Sequence, residues 1–163
     1  MSFDWSNLIV RVLEEVVPPA FGAAIGAGFV GFVLRGQRRL FKNIRRPIQV
    51  IGTGSQTMNH EADLLRRVGL FHVVGPSSDV RVIDTFGDKR LVVVGFSPNA
   101  DFRAVYQAAG RRELPIVVFA QPGAIQKEDL AFIQAYSHHS ICNTPLRLIS
   151  DVFAIMSTYP EDK

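Results

Sequence analysis

Cysteine and histidine are scarce in this sequence: its 163 residues include one cysteine and four histidines. The lone Cys142 cannot form an internal disulfide or a cysteine cage around zinc, which favours a reducing compartment. His138 and His139 are neighbours, but adjacent side chains diverge in both helices and strands, and no nearby acid completes a metal site. We therefore predict no metal and no other cofactor. We interpret Cys142 as a small buried residue, with a reactive thiol as the alternative.

The formal net charge is +3 and the isoelectric point is about 9.4, but the positive charge is not spread evenly along the chain. Residues 1–46 hold seven basic and three acidic side chains, whereas residues 47–163 hold eleven basic and twelve acidic ones. A nucleic-acid-binding domain would carry the basic excess on its folded part. The sequence therefore predicts no nucleic-acid partner.

Charge is absent altogether from residues 16–34, VVPPAFGAAIGAGFVGFVL. At about 1.5 Å per residue, these nineteen residues nearly cross a hydrocarbon core of about 30 Å. We predict a transmembrane helix here, and the alternative is a buried glycine-rich helix of a soluble protein. Basic side chains follow in the segment 35–46 and would contact anionic lipid: Arg35, Arg38, Arg39, Lys42, Arg45 and Arg46. This asymmetry predicts a single-pass protein of a bacterial inner membrane, with its amino terminus outside and residues 47–163 in the cytoplasm.

Small residues recur four apart in the same stretch and would let two helices approach closely. We expect Gly22, Gly26, Gly28 and Gly31 to form the association face of a homo-oligomer. Residues 1–15 are amphipathic at helical spacing, and they form either a separate interfacial helix or the first turns of the spanning helix.

From Pro47 onward the pattern predicts strands that alternate with helices. The apolar runs 91–94 and 116–119 are typical of strands covered on both faces. Short connections between such elements indicate a parallel, doubly wound α/β sheet. The segment 77–86 is consistent with either a short helix or an edge strand.

The runs LVVVGFSP, ELPIVVFAQPG and HHSICNTPLRLISDVFAIMS resemble the second half of a bacterial response-regulator receiver domain. The resemblance covers roughly residues 47–158 and rests on pattern and on Pro98 and Pro145. It implies a flavodoxin-like sheet of five parallel strands in the order 2-1-3-4-5. The acidic and phospho-accepting positions of receivers here read Gly52-Thr53-Gly54 and Val94-Gly95, so the resemblance implies a degenerate receiver that cannot hold magnesium or accept phosphate.

Ligands of doubly wound sheets bind beyond the carboxyl ends of the strands. The loops there offer glycine backbone and neutral polar groups, which is the make-up of a binding crevice with no base and no nucleophile. The candidate ligand-binding residues are Gly52, Thr53, Gly54, Ser55, Ser97, Asn99, Gln121, Asn143 and Thr144. The alternative is that they form only tight turns and helix caps.

These features lead to the hypothesis of a non-catalytic, membrane-anchored signalling or effector protein. Its cytoplasmic domain would sense a small nucleotide-like ligand or a partner protein and control the association of the spanning helices. The layout is similar to that of membrane-disrupting antiviral defence effectors. The alternatives are a scaffold that docks a partner complex at the inner membrane and, third, a nucleotide-using enzyme.

Overall fold

The computed structural model describes Gly31, Arg35, Gln37, Arg38 and the ranges 40–85 and 90–158. The chain divides into two compact units, residues 1–40 and residues 41–163. The described residues of the first unit are helical, and residues 41–44 of the second are helical as well. The predicted segments 1–15 and 16–34 lie outside the described residues except for Gly31, which is helical and exposed.

Within the described part of the chain, no helix combines the length and the apolar character needed to cross a bilayer. Gly22, Gly26, Gly28 and Arg39 lie outside that part, so the predicted helix association, location and homo-oligomer stay predictions. The basic segment is partly built into the second unit. Asn43, Ile44 and Arg46 are buried there, and only 8% of Arg46 is exposed.

The second unit is an α/β domain with five strands. The strands are β1 (Pro47–Ile51), β2 (His72–Ser77), β3 (Leu91–Gly95), β4 (Ile116–Phe119) and β5 (His139–Cys142). The helices are α1 (Asn59–Arg67), α2 (Ala100–Arg111), α3 (Lys127–Gln134) and α4 (Pro145–Thr158). The ambiguous segment forms a 3-10 helix, Val80–Thr85.

All neighbouring strands are parallel, and their order is β2-β1-β3-β4-β5. The predicted α/β class and strand order are therefore confirmed. Every residue of β3 and β4 is buried, because these two inner strands are covered on both faces. Their β-branched side chains suit this position, since they pack well on a pleated surface.

Successive side chains of the inner strands point to opposite faces of the sheet. Val92, Val94, Ile116 and Val118 join one core cluster together with residues of α2 and α3. Two tyrosines fix these helices by hydrogen bonds from their hydroxyl groups: Tyr106 to the carbonyl of Ile133 at 2.7 Å, and Tyr136 to the carbonyl of Leu114 at 2.9 Å. Helix α4 contacts β4, β5 and α1, and its buried stripe consists of Leu148, Val152 and Met156.

Helix α2 ends in a Schellman motif that places a glutamate in a left-handed conformation. The amide of Glu113 donates to the carbonyl of Gly110, and the amide of Leu114 donates to that of Ala109, both at 3.1 Å. This pairing puts Glu113 at the position that usually holds glycine, and its φ is +55°. An L side chain in that region costs about 1 kcal/mol or more.

We therefore expect Glu113→Gly to raise the free energy of unfolding by about 1 kcal/mol, because glycine adopts this conformation without steric cost. Urea denaturation of the full chain, followed by a signal from the domain formed by residues 41–163, would measure the change in the free energy of unfolding. Glu113→Ala is the matched control, since it removes the carboxylate but keeps the Cβ atom. A gain of equal size in both variants would show that the backbone strain is not its source.

Candidate functional site

The strand order reverses between β1 and β3, and the loop that follows β1 folds tightly over this point. The Thr53 hydroxyl donates to the carbonyl of Gly95 at 2.6 Å, and the amide of Gln56 donates to the carbonyl of Thr53 at 3.1 Å. The amide of Gly52 donates to the carbonyl of Ser77 at 2.9 Å. The loop is thus tied to the ends of both β2 and β3.

Two glycines show how closely this loop packs. A Cβ atom on Gly95 would lie 2.9 Å from Oε1 of Gln56 and 2.9 Å from Sδ of Met58. A Cβ atom on Gly54, whose φ is +58°, would lie 2.6 Å from Oγ of Ser97. The side chains of Gln56 and Met58 therefore occupy the end of β3, where a doubly wound fold would otherwise offer its crevice.

The nine candidate residues do not form one site. Thr53 is buried, Ser55 is exposed, and Oδ1 of Asn99 caps α2 by accepting from the amide of Phe102 at 2.9 Å. Ser97 packs beside Gly54. The contacts of Thr53 and Asn99 are those of a turn residue and a helix cap, which was the alternative to ligand binding.

The other candidates are divided between two clefts at the carboxyl edge. One cleft, of about 350 Å³, lies beyond β1 and β2. Its lining includes Gly52, Gly54, Gln56, Thr57, Ser77, Ser78 and Asp101. The second, of about 430 Å³, lies beyond β4 and β5, and we name it the carboxyl-edge cleft. Its lining includes Gln121, Gly123, Cys142, Asn143, Thr144 and Arg147.

Among the described residues, Arg147 is the one cationic residue that lines the carboxyl-edge cleft, and it is not one of the candidates predicted from the sequence. Its Nε lies 3.0 Å from Oδ1 and 3.3 Å from Oδ2 of Asp151, one helical turn later. Oδ2 of Asp151 also accepts from the hydroxyl of Ser140 at 2.6 Å. Among the described residues, the two terminal nitrogens of Arg147 make no hydrogen bond, so they remain available as donors.

The first turn of α4 also borders this cleft. Oγ1 of Thr144 accepts from the amide of Arg147 at 3.3 Å, which satisfies one amide of the helix amino terminus. The partial positive charge at this end of a helix repels a cation, and Asp151 supplies the anion that compensates Arg147 in the first turn. An arginine directly after the loop that follows β5 is the signal by which Arg147 could have been found from the sequence.

Cys142 closes the floor of the carboxyl-edge cleft but is only 2% exposed. Burial raises the pKa of its thiol to about 12, and the carboxylate of Asp151 acts in the same direction. The thiol is therefore protonated at neutral pH and is a poor nucleophile. Within the described ranges, no group of three or more histidine, cysteine or acidic side chains could hold a metal ion.

No protein-family model and no curated protein matches this chain. Among the solved structures similar to this chain are two at 14% identity and a TM-score of 0.45. One is the sugar isomerase domain of an RpiR transcription factor from Sphaerobacter thermophilus, and the match covers 76% of this chain and 75% of that one. The other is the C-terminal domain of glucosamine-fructose-6-phosphate aminotransferase from Francisella tularensis, where 75% of this chain matches 39% of that one.

Neither structure is a receiver domain, and the predicted resemblance to receivers is wrong. It rested on the alternation of strands and helices, which many doubly wound folds share. The prediction of a membrane signalling or defence effector is wrong as well, as is its membrane-scaffold alternative. The similar structures are domains of a transcription factor and of an aminotransferase.

The two positive-φ glycines of the carboxyl edge allow a matched test of the loop after β1. We expect Gly123→Ala to lower the free energy of unfolding by about 1 kcal/mol, because its φ is +76° and no atom lies near the new Cβ. Gly54→Ala should cost at least about 2 kcal/mol, since the contact with Ser97 is added to the same backbone cost. Equal losses in chemical denaturation would contradict the tight packing described for this loop.

Proposed function

We propose that residues 41–163 form a binding domain for a small anionic metabolite, which occupies the carboxyl-edge cleft and is not turned over. A hydroxylated compound with a single phosphate group fits best. The orientation of Arg147 is the observation that carries this proposal.

The contact with Asp151 favours one orientation of the exposed Arg147 guanidinium group before any ligand binds. Its contact with Asp151 uses Nε, and both terminal nitrogens remain for a ligand. Two parallel donors from a planar guanidinium match two oxygens of a phosphate or carboxylate. Because the guanidinium is already oriented, less side-chain entropy is lost when the anion binds.

The rest of the lining supports the same class of ligand. The amino terminus of the fourteen-residue helix α4 adds a partial positive charge, while the amides of Arg147 and Leu148 are already bonded to Thr144. Gln121, Asn143 and Thr144 are neutral donors and acceptors that suit hydroxyl groups. The volume of about 430 Å³ lies within the range of about 300–1,000 Å³ that is usual for small-molecule sites.

The cleft lacks the groups that a reaction would need. Its lining residues include no carboxylate and no imidazole, and the thiol of Cys142 is protonated at neutral pH. A general base or an activated nucleophile is required for most acyl and proton transfers. Binding without chemistry is therefore the activity that these residues support.

Calorimetric titration of the full chain with glucose 6-phosphate, glucose and inorganic phosphate tests the proposal. We expect the phosphorylated compound to bind and glucose to bind much more weakly. Arg147→Gln should weaken binding by roughly 10- to 100-fold, because a charge-assisted hydrogen bond contributes about 1.5–3 kcal/mol. Arg111→Gln is the control: it removes the same charge from the exposed last turn of α2, at the other edge of the sheet.

Equal binding of glucose and its phosphate would contradict the anionic ligand. Unchanged affinity in Arg147→Gln would contradict the site. Conversion of the ligand to a product during the titration would contradict the absence of turnover.

A further inference from the structure

A separate cavity of about 490 Å³ opens at the opposite edge of the sheet, where β4 and β5 begin, and we name it the amino-edge cavity. Its lining residues are Glu113, Pro115, Ser137, His138, His139, Ser140, Ile155 and Thr158. Pro115 and Ile155 give it apolar walls, and the remaining side chains are polar. In the function proposed above, none of these groups touches the ligand.

Glu113 is the residue of this cavity that the fold alone does not explain. It occupies the left-handed position at the end of α2, where glycine would be the more stable choice. Its side chain is exposed and appears in no ion pair among the described residues. Residues held in unfavourable backbone conformations cluster at functional sites, which makes this carboxylate a candidate ligand group.

His139 provides a second acceptor. Its Nδ1 is hydrogen-bonded to the carbonyl oxygen of Tyr136, and a carbonyl can only accept. The proton of the neutral ring must then lie on Nδ1, which leaves the lone pair on Nε2. The ring of His138, which also lines the cavity, makes an edge contact with Tyr136, at 5.8 Å between ring centroids.

The linings of the two cavities therefore differ in charge. The carboxyl-edge cleft has a guanidinium group and no carboxylate in its lining, whereas the amino-edge cavity has a carboxylate and no lysine or arginine. Glu113 and Nε2 of His139 accept hydrogen bonds, and the serine and threonine hydroxyls can accept as well. A ligand that donates hydrogen bonds and carries positive charge satisfies these groups, and Pro115 and Ile155 favour an apolar body next to its charge.

We propose that the amino-edge cavity binds a small organic cation, in which a primary ammonium group is attached to an apolar body. The ammonium group pairs with Glu113 and donates to Nε2 of His139. The apolar body packs against Pro115 and Ile155. This proposal does not rest on the anion-binding function proposed for the carboxyl-edge cleft.

Three probes that share a benzyl body test the proposal: 2-phenylethylamine, 2-phenylethanol and phenylacetate. Binding would be followed by nuclear magnetic resonance in the full chain. The signals are the amide chemical shifts of His138, His139 and Ser140 and the ring chemical shifts of the two histidines. We expect saturable shifts with the amine, weaker ones with the alcohol and none with the carboxylate. Glu113→Gln should weaken binding of the amine by about tenfold or more, because it removes the charge and keeps the size of the side chain.

Glu128→Gln is the matched control, since it removes an exposed carboxylate from the first turn of α3. It should leave binding of the amine unchanged. Glu113→Gly adds a second control, because we expect this variant to be more stable and still to lose the amine, which separates binding from stability.

Stronger shifts with phenylacetate than with the amine would overturn the proposal, as would the absence of shifts with all three probes. Unchanged binding in Glu113→Gln would overturn the role of the carboxylate. The carboxyl-edge cleft can be saturated with glucose 6-phosphate in a parallel titration, so failure at one site does not affect the test of the other.

Discussion

The burial of β3 and β4 on both faces is the constraint on which the rest of this domain depends. A parallel pair of strands cannot leave one apolar face in water, so helices must cover both sides, and each crossover must return to the same edge. Helices α2 and α3 share one core with the sheet, while α1 and α4 contact each other and neighbouring strands. This arrangement fixes where the loops lie: all strands end at one edge and begin at the other. The two cavities at opposite edges of β4 and β5 follow from that geometry.

Elements governed by local pattern could be predicted from the sequence. The apolar runs of β3 and β4 and the short connections were sufficient for the parallel α/β class, and the strand order came from the receiver resemblance. The same pattern could not identify the family, because the alternation of strands and helices says little about which doubly wound fold is present. The receiver resemblance failed for this reason. The chain lacks the carboxylates that receivers use to hold magnesium and accept phosphate, so receiver chemistry was already excluded from the sequence.

The site was harder to predict because it depends on contacts between residues far apart in sequence. Gly52 and Gly54 were predicted to line an open binding crevice, but Thr53 is tied to Gly95, 42 residues later, and the loop closes on itself. Gln121, Asn143 and Thr144 do line one cleft, as adjacent parallel strand ends require. Arg147 was missed because the loops alone were searched, and it belongs to the helix that follows. Glu113 could not have been found without its backbone conformation.

The orientation of Arg147 depends on β5 as well as on its own helix. Both carboxylate oxygens of Asp151 accept a hydrogen bond from Nε of Arg147, and Oδ2 also accepts one from the hydroxyl of Ser140 on β5. An exposed arginine and aspartate four residues apart on a helix gain only a few tenths of a kcal/mol from their contact. The carboxylate of Asp151 is mostly buried, however, and its second hydrogen bond limits the directions in which it can turn. Ser140 also lines the amino-edge cavity, so the side chains from Ser140 through Asp151 to Arg147 form a continuous hydrogen-bonded connection between the two edges of the sheet.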